Sequence, residues 1–298
     1  MIRIILNGKK ADIDEVRDAV AILREESHTV EVRVTWEHGD AIRFVQEASS
    51  NGVKRIVVAG GDGSINEVVN GLMKLPKTER PQLSILPLGT ANDFAVTCSI
   101  PHYPLEALRL AIEGRAIPVD IVRANDRYFI NVATGGVGTK ITTETPTELK
   151  NFLGGGAYTI SALIKALSFV HSNGKLVSED HGLEGAFIAA AVCNGRAAGG
   201  GQIISPNAYI NDGLMDVVVI LEFALSDVPQ VVMEFLNPSI KGEFVKRFQT
   251  KQMESIPEQA RSVNLDGEPY RTGKIEFEIM PKEIELVLPK DCSCILKE

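Results

Sequence analysis

The chain has 298 residues and a formal net charge of −8; 44% of its residues are hydrophobic and 23% are charged. This length allows two domains or one large one, and the composition is typical of a globular protein. The acidic balance argues against a nucleic-acid partner, because binding a polyanion needs a basic surface. No stretch approaches the roughly 18–20 apolar residues that span a bilayer, and the N-terminus lacks the layout of a signal peptide. The sequence therefore predicts a cytoplasmic protein without a transmembrane segment, whose contact with membranes would be peripheral.

The first 120 or so residues alternate between strand and helix patterns. Strands are predicted at IRIILNG, VEVRVTW, RIVVAG and LSILP, and helices at IDEVRDAVAILREES, GDAIRFVQEASSNG, 64–72 and PLEALRLAIEG. The helices carry apolar residues three and four positions apart, which is the spacing of one buried helix face. A β-α-β-α order of this kind predicts a parallel sheet covered by helices.

After Asp120 the regular alternation of strand and helix gives way to successive strand-like runs. Residues 121–134 predict a hairpin around Asn125–Asp126, and further strands are predicted at GAFIAAAVC, LMDVVVIL, KIEFEIM and EIELVLP. Two helical insertions are predicted, at 156–172 and 228–248. The second part is thus expected to be an antiparallel, β-rich domain, with a boundary near residues 118–124.

Four cysteines and five histidines offer little evidence for a metal site. The cysteines (Cys98, Cys193, Cys292 and Cys294) form no CxxC pair, and the histidines form no HExxH cluster. The C-S-C sequence near the end could chelate a metal. Without a second pair, reduced thiols in a cytosolic protein are the favoured interpretation.

A glycine loop, GGDGSINE at residues 60–67, joins the third strand to the following helix. This geometry directs backbone N–H groups and the helix dipole at an anion. The loop is neither a Walker A loop, since it has no lysine, nor a dinucleotide fingerprint, since Asn66 stands where a third glycine is needed. Ser64 and Glu67 have the spacing of a capping box, so a merely well-capped helix is the alternative. Asp62 would repel a phosphate unless a divalent cation lies between them, which favours a Mg²⁺–nucleotide complex.

A second loop, SILPLGTANDFA at residues 84–95, follows the next strand. Open α/β sheets bind ligands at the carboxyl ends of their strands. Thr90 and Asn92 could bind phosphate or base there, although Asn92 and Asp93 could equally be turn and cap residues. Thr35, at the end of the second strand, is expected at the same edge.

GGDGSINEVVNGL followed by LPLGTANDFA resembles the diacylglycerol kinase catalytic family, and most closely its bacterial YegS-like lipid kinases. The runs ATGGVGTKITTETP, NGRAAGGGQIISPNAYINDGL and NLDGEP match the same group in order, with Ser64 where Thr is usual. The resemblance implies an α/β nucleotide-binding domain, placed at residues 1–122, and a β-sandwich domain, placed at 123–298. The active site would lie in the cleft between them. The last residues are expected to return to the N-terminal domain.

The resemblance also implies the activity: an ATP-dependent lipid kinase, a transferase of phospholipid metabolism that moves the γ-phosphoryl group to a lipid hydroxyl. Cation chemistry, by Mg²⁺ or alternatively Ca²⁺, would replace the missing lysine. By resemblance the nucleotide contacts are Thr35, Gly61, Asp62, Gly63, Ser64, Ile65, Asn66, Glu67 and Thr90.

Two acidic motifs are the remaining candidates for chemistry. NLDGEP, residues 264–269, by itself predicts a hairpin turn, but the resemblance implies that it holds the general base, with Glu268 favoured and Asp266 a close second. Residues 207–216 by themselves predict a turn with solvated acids. There the resemblance implies a second metal site, formed by the Asp212 carboxylate and the carbonyls of Tyr209 and Leu214.

Two segments could contact a lipid. Residues 240–252 carry four basic residues against Glu243, which suggests either a basic amphipathic helix at a membrane surface or an ordinary surface helix. Residues 154–169 could line an acyl-chain groove. A kinase of a soluble metabolite and a catalytically weak lipid- or nucleotide-binding regulator are the alternative functions. The sequence leaves the acceptor lipid and the oligomeric state open.

Overall fold

A computed structural model describes residues 1–136 and 172–297. Its N-terminal part alternates strands and helices in the predicted order, with one short additional helix, α4. The elements are β1 (Ile2–Asn7), α1 (Asp14–Glu25), β2 (Val30–Thr35), α2 (Asp40–Ser50), β3 (Arg55–Gly60), α3 (Asp62–Met73), β4 (Gln82–Pro87), α4 (Asp93–Thr97) and α5 (Pro104–Glu113). Single 3₁₀ turns occupy Gly8–Lys10, Lys77–Glu79 and, further on, Leu225–Asp227.

The four N-terminal strands form a parallel sheet in the order β4-β3-β1-β2. Helices cover both faces: α2 and α3 pack with Ile56 and Val58 of β3, and α1 and α5 pack with Val57 and Ala59 of the same strand. Burial on both faces explains the continuous apolar run of the central strand β3, whereas the edge strand β2 has charged residues at alternate positions. Because the strands are parallel, their carboxyl ends meet at one edge, which we call the carboxyl edge.

The rest of the described chain is an antiparallel β-sandwich with one further helix. Its elements are β5 (Arg115–Ala124), β6 (Arg127–Phe129), β7 (Val132–Gly136), β8 (Ser172–Ser178), β9 (Gly182–Cys193), β10 (Ala197–Ala198), β11 (Gln202–Ile203), β12 (Met215–Leu221), α6 (Val228–Leu236), β13 (Val245–Thr250), β14 (Gln252–Pro257), β15 (Arg261–Leu265), β16 (Glu268–Thr272) and β17 (Ile275–Leu288). Side chains from its strands, including Phe129, Val192, Val217 and Phe277, form a core of their own. The predicted mixed fold, parallel and then antiparallel, is confirmed.

The long last strand, β17, belongs to both parts of the molecule. It pairs antiparallel with β5 from Phe277 to Leu288, and with β14 near its start. At Leu286 it also pairs with β4 of the parallel sheet, opposite Leu83. The sequence predicted two strands here. They are one strand with a register shift between Met280 and Ile284, where Lys282 has a positive φ of 55°.

The predicted helix at 228–248 is wrong in its second half, and with it the basic interfacial helix at 240–252. Helix α6 ends at Leu236, and Val245–Thr250 is strand β13, paired with β12. Pro238 stops the helix. The two faces of β13 then pack differently: Phe248 stacks on His181, and the neighbouring Arg247 donates to the carbonyls of Glu234 and Phe235 at the end of α6.

The other predicted insertion, at 156–172, and the acyl-groove segment at 154–169 lie outside the described residues, except for Ser172, which begins β8. Across the described ranges, no helix is both long and apolar enough to cross a bilayer.

Asp120, on β5 where the two parts meet, is fully buried and joins three segments. Its carboxylate accepts hydrogen bonds from the amides of Gly213 and Lys282, each at 2.7 Å, one on each oxygen. Burial raises the pKa of this carboxyl, and the two amides oppose that shift. The turn before β12 and the register shift in β17 are thus held to the same carboxylate.

Replacing Asp120 by Asn should lower the free energy of unfolding by about 1–3 kcal/mol, because the amide keeps one acceptor and turns an NH₂ group toward the second buried N–H. Urea denaturation of the variant and the wild type measures the difference. Asp18→Asn on the exposed face of α1 is the control, expected to stay within about 0.5 kcal/mol. Equal stability of Asp120→Asn and wild type would contradict the bridging role.

Candidate active site

Residues at the ends of β1 and β2 form hydrogen bonds at the carboxyl edge. Asn7 and Thr35 are paired neighbours at the ends of these strands. The Asn7 side-chain amide donates to Ser64 Oγ at 2.9 Å, and Thr35 Oγ1 accepts from the amide of Gly8 at 3.2 Å. With its oxygen held by Asn7, the Ser64 hydroxyl is free to donate its own proton. Asn7 was not predicted, although its position after an apolar strand was a usable signal.

The two glycine loops predicted from the sequence lie directly against each other. A β-carbon on Gly61 would lie 3.1 Å from the Cα of Gly89, and one on Gly89 would lie 2.6 Å from the Cα of Gly61. Leu88 donates its amide to the carbonyl of Gly60 at 2.8 Å. The Asn92 side chain closes the second loop by bonding both the amide and the carbonyl of Gly89. Asn92 is therefore a turn residue, and Thr90 is left exposed beside Gly89.

Helix α3 begins at Asp62, directly after Gly61, whose carbonyl accepts the amide of Ile65 at 3.1 Å. The capping-box alternative for Ser64 and Glu67 does not apply, because both residues lie inside the helix. The amides of the first turn have no intrahelical acceptor, and the helix dipole adds positive potential at this end. The first turn of α3 is consequently suited to bind an anion.

Two of the predicted nucleotide contacts direct their side chains away from the loop. Ile65 is buried in the core between α3 and the sheet. The Asn66 amide donates to the carbonyl of Tyr128 at 3.0 Å and to Asp266 Oδ2 at 3.4 Å. These side chains position α3 against the sheet and the sandwich, so a ligand at the carboxyl edge would meet Gly61–Ser64 rather than them.

NLDGEP forms the hairpin turn between β15 and β16, with Asp266 and Gly267 at φ 50° and 99°. The Asp266 carboxylate is buried and accepts the amides of Ile130, Asn131 and Val132 at 2.8–3.0 Å, besides Asn66. Burial raises the pKa of Asp266 to about 6, and the hydrogen bonds from the three amides and Asn66 oppose the shift. Every hydrogen-bonding neighbour of this carboxylate is a donor.

Glu268, on the other side of the same turn, is exposed at the carboxyl edge. A β-carbon on Gly63 would lie only 2.7 Å from Glu268 Oε1, so the carboxylate lies against the first turn of α3. The turn prediction and the active-site prediction are thus compatible: the same hairpin buries one carboxylate and presents the other beside the glycine loop.

Three further carboxylates give this edge its charge. Burial raises the pKa of Asp62, and the neighbouring Asp93 adds to the shift. A hydrogen bond from the amide of Phe94, at 3.4 Å, opposes it. Burial also raises the pKa of Glu67; Glu268 adds to the shift, and His38, 3.6 Å away, opposes it. Since the loop contains no lysine or arginine, a phosphate here would need a cation.

Asp93 has a different role from Asp62. Its carboxylate accepts the amides of Gly200 and Gly201 at 2.9 and 2.6 Å, where both glycines have a positive φ near 95° (92° and 97°). This links α4 to the sandwich and uses the glycine run that the sequence resemblance included. Only glycine adopts such consecutive conformations readily.

The predicted second metal ligands, Tyr209, Asp212 and Leu214, lie on one turn before β12. Asp212 Oδ1 accepts the amide of Leu214 at 3.0 Å. Burial raises the pKa of Asp212 to about 6, and the nearby Asp216 and Asp120 add to the shift. A carboxylate destabilised by other carboxylates suits a hard cation with oxygen ligands.

The comparisons with known proteins agree along the whole chain. Residues 1–124 match the diacylglycerol kinase catalytic domain, and residues 131–288 match the YegS C-terminal NAD kinase beta sandwich-like domain. A protein of Shewanella frigidimarina (strain NCIMB 400) named "Probable lipid kinase YegS-like" is 47% identical over 297 residues, covering 99% of this chain and 96% of that protein. One of the same name from Serratia proteamaculans (strain 568) is 44% identical over 293 residues, covering 98% and 95%.

The fold also matches a solved structure. The crystal structure of a "putative diacylglycerol kinase" from Bacillus anthracis str. Sterne superposes with a TM-score of 0.82 at 25% identity, over 97% of this chain and 95% of that one. From its two matched domains and its full-length relatives, this chain belongs to the YegS-like lipid kinase family.

Proposed function

We propose that this kinase transfers the γ-phosphoryl group of ATP to a hydroxyl group of a lipid. One observation carries the proposal: the exposed Glu268 carboxylate lies against Gly63, in the first turn of α3. A candidate base therefore stands next to a candidate phosphate site. Phosphoryl transfer needs in-line positioning, neutralisation of charge and an acceptor for the hydroxyl proton.

The phosphate groups of ATP would be held by Gly61, Asp62, Gly63 and Ser64 at the start of α3. The backbone amides supply donors, the absence of side chains on Gly61 and Gly89 lets the two loops pack closely, and Asn7 orients the Ser64 hydroxyl. Three other predicted contacts, Thr35, Glu67 and Thr90, would border the phosphate groups. Ile65 and Asn66 would contribute indirectly, by holding helix α3 in place.

Asp62 would hold Mg²⁺, with Ca²⁺ as the alternative ion. Its half-buried carboxylate, with a pKa raised by burial and by Asp93, fits a site for a cation. When bound, the ion neutralises charge on the transferring phosphoryl group and on the leaving ADP.

Glu268 would act as general base. It accepts the proton of the lipid hydroxyl while that oxygen forms a bond to the γ-phosphorus and the bond from the γ-phosphorus to the bridging oxygen of ADP breaks. Asp266 is a positioning residue in this proposal, because its two oxygens already accept four hydrogen bonds.

A second cation, Mg²⁺ or Ca²⁺, would bind at Tyr209, Asp212 and Leu214. Through Gly213 the same turn is bonded to Asp120, which also holds β17. The ion would therefore stabilise the junction between the sheet and the sandwich and take no part in transfer. We place the enzyme in the cytoplasm, in peripheral contact with the membrane that carries its acceptor.

The test is transfer of labelled γ-phosphate from ATP to a total lipid extract with Mg²⁺ present. Products are separated and identified by mass. A phosphorylated lipid that is lost in the Glu268→Gln variant would support the proposal and identify the acceptor class. Intact ATP binding without a lipid product would contradict it. Transfer of the labelled phosphate to a water-soluble alcohol would then indicate a soluble acceptor.

The two carboxylates of the hairpin should behave differently when neutralised. Glu268→Gln should lower the transfer rate about 10²–10⁴-fold, because the base is lost, with ATP affinity and stability kept. Asp266→Asn should lower the free energy of unfolding by about 1–3 kcal/mol for each amide left unpaired. Rate assays, calorimetry with ATP and urea denaturation on both variants measure this. Full transfer by Glu268→Gln would remove Glu268 as the base.

Replacing Asp62 by Asn should raise the Mg²⁺ concentration needed for half-maximal transfer roughly tenfold or more, because a ligand charge is lost. Titration of activity with Mg²⁺ at fixed ATP gives this value. The control is Asp18→Asn, which removes one negative charge from the exposed face of α1, outside the glycine loop. The same Mg²⁺ dependence in both variants would exclude Asp62 as the ligand.

A further inference from the structure

Three cysteines that are distant in sequence meet in the folded protein. Cys98 directly follows α4, and Cys292 and Cys294 lie in the C-terminal segment after β17. Their three sulfur atoms lie within 4.8 Å of one another, and all three residues are buried. The sequence favoured unremarkable reduced thiols because C-S-C lacked a second group of ligands. The fold provides the third sulfur from the N-terminal part.

The surroundings of the thiols are apolar, with two polar exceptions. The cluster belongs to the same core as Phe94 and Ile100. The carbonyl of Thr97 accepts the Cys294 thiol at 2.9 Å. Close by, the Arg196 guanidinium donates to the carbonyl of Ser293 at 2.7 Å and to its hydroxyl at 3.2 Å.

The surroundings of the cluster lower the pKa of one of the three thiols. Hydrogen bonds from Cys292 and Cys98 lower the pKa of the Cys294 thiol, and the charge of Arg196 adds to the effect. The neighbouring thiols and burial raise the pKa of Cys98. The proximity of the sulfur atoms, their burial and the nearby guanidinium are independent features, and all three suit a thiolate metal site.

We propose that Cys98, Cys292 and Cys294 together bind one thiophilic divalent ion of the zinc class. Each thiol loses its proton to solvent and forms a sulfur–metal bond, without a change of oxidation state. Three thiolates and a dication carry a net charge of −1, which Arg196 balances, whereas a monovalent ion would leave a buried excess of negative charge. Zinc usually takes four ligands, and the Thr97 carbonyl is an oxygen already at the cluster.

The ion would fasten the C-terminal segment to the helix that follows the second glycine loop. The segment is already tied on its other side: the amide of Ile210 donates to the carbonyl of Cys294, and Asn211 exchanges two hydrogen bonds with Leu296. The thiolate site adds a connection to α4, whose first residue, Asp93, bonds the glycine run of the sandwich.

The first experiment measures metal content by mass spectrometry in full-length protein purified without chelator from zinc-supplemented cells. Wild type should carry one zinc ion per chain. Cys98→Ser, Cys292→Ser and Cys294→Ser should lose it. The matched control is Cys193→Ser, in which the fourth buried cysteine, outside the cluster in β9, is replaced and the ion is kept.

A second measurement uses only wild-type protein, so that its result does not depend on how the serine variants fold. After removal of metal by a chelator under reducing conditions, Co²⁺ should bind at one ion per chain with thiolate-to-cobalt absorption. Zn²⁺ should displace it and Mg²⁺ should not, and the zinc-bound protein should melt at a higher temperature than the apoprotein. Three reduced thiols without a bound ion, a disulfide within the cluster, or copper in place of zinc would each overturn the proposal.

Discussion

The candidate active site depends on the hydrogen bonds that the buried Asp266 carboxylate accepts. This carboxylate lies at the turn of the β15–β16 hairpin and accepts the amides of Ile130 and its two successors, as well as the side chain of Asn66 on α3. One buried anion thus fixes the hairpin, the start of β7 and the helix of the glycine loop relative to one another. A buried carboxylate with only donors around it is costly to disturb, so the position of Glu268 beside Gly63 follows from this arrangement.

The same physical device recurs at the other junctions. Asp120 holds the turn before β12 and the register shift of β17, and Asp93 holds the amides of Gly200 and Gly201. In each case a carboxylate accepts backbone amides from segments that are distant in the chain. Since β17 also pairs with strands of both parts, the sheet and the sandwich share backbone hydrogen bonds as well as these anions. These buried carboxylates thus fix the relative positions of the segments around the cleft in which we propose that transfer occurs.

Sequence periodicity predicted some elements of the fold correctly and others wrongly. Apart from the short helix α4, the strands and helices up to α5 follow from their periodicity, because each buries a face whose spacing is visible in the chain. The segment around Arg247 was misassigned, because its basic and aromatic residues suit a helix as well as a strand. Its pairing with β12 and its contacts with the end of α6 decided between them. The two strands predicted at the C-terminal end proved to be one strand with a register shift, where the amide of Lys282 bonds the distant Asp120.

By itself, the sequence determined the alternation of strands and helices in the N-terminal part, the glycine loop, the family and the pair of carboxylates in NLDGEP, because these depend on spacing along the chain. The tertiary structure alone decided that Asp266 is buried and Glu268 exposed, and that Asn7 orients Ser64. It also decided that Cys98 meets Cys292 and Cys294. Each of these depends on contacts between residues far apart in the chain, and no local periodicity encodes them. Burial and partnership, which set the chemistry of a carboxylate or a thiol, arise only when the strands and helices pack together.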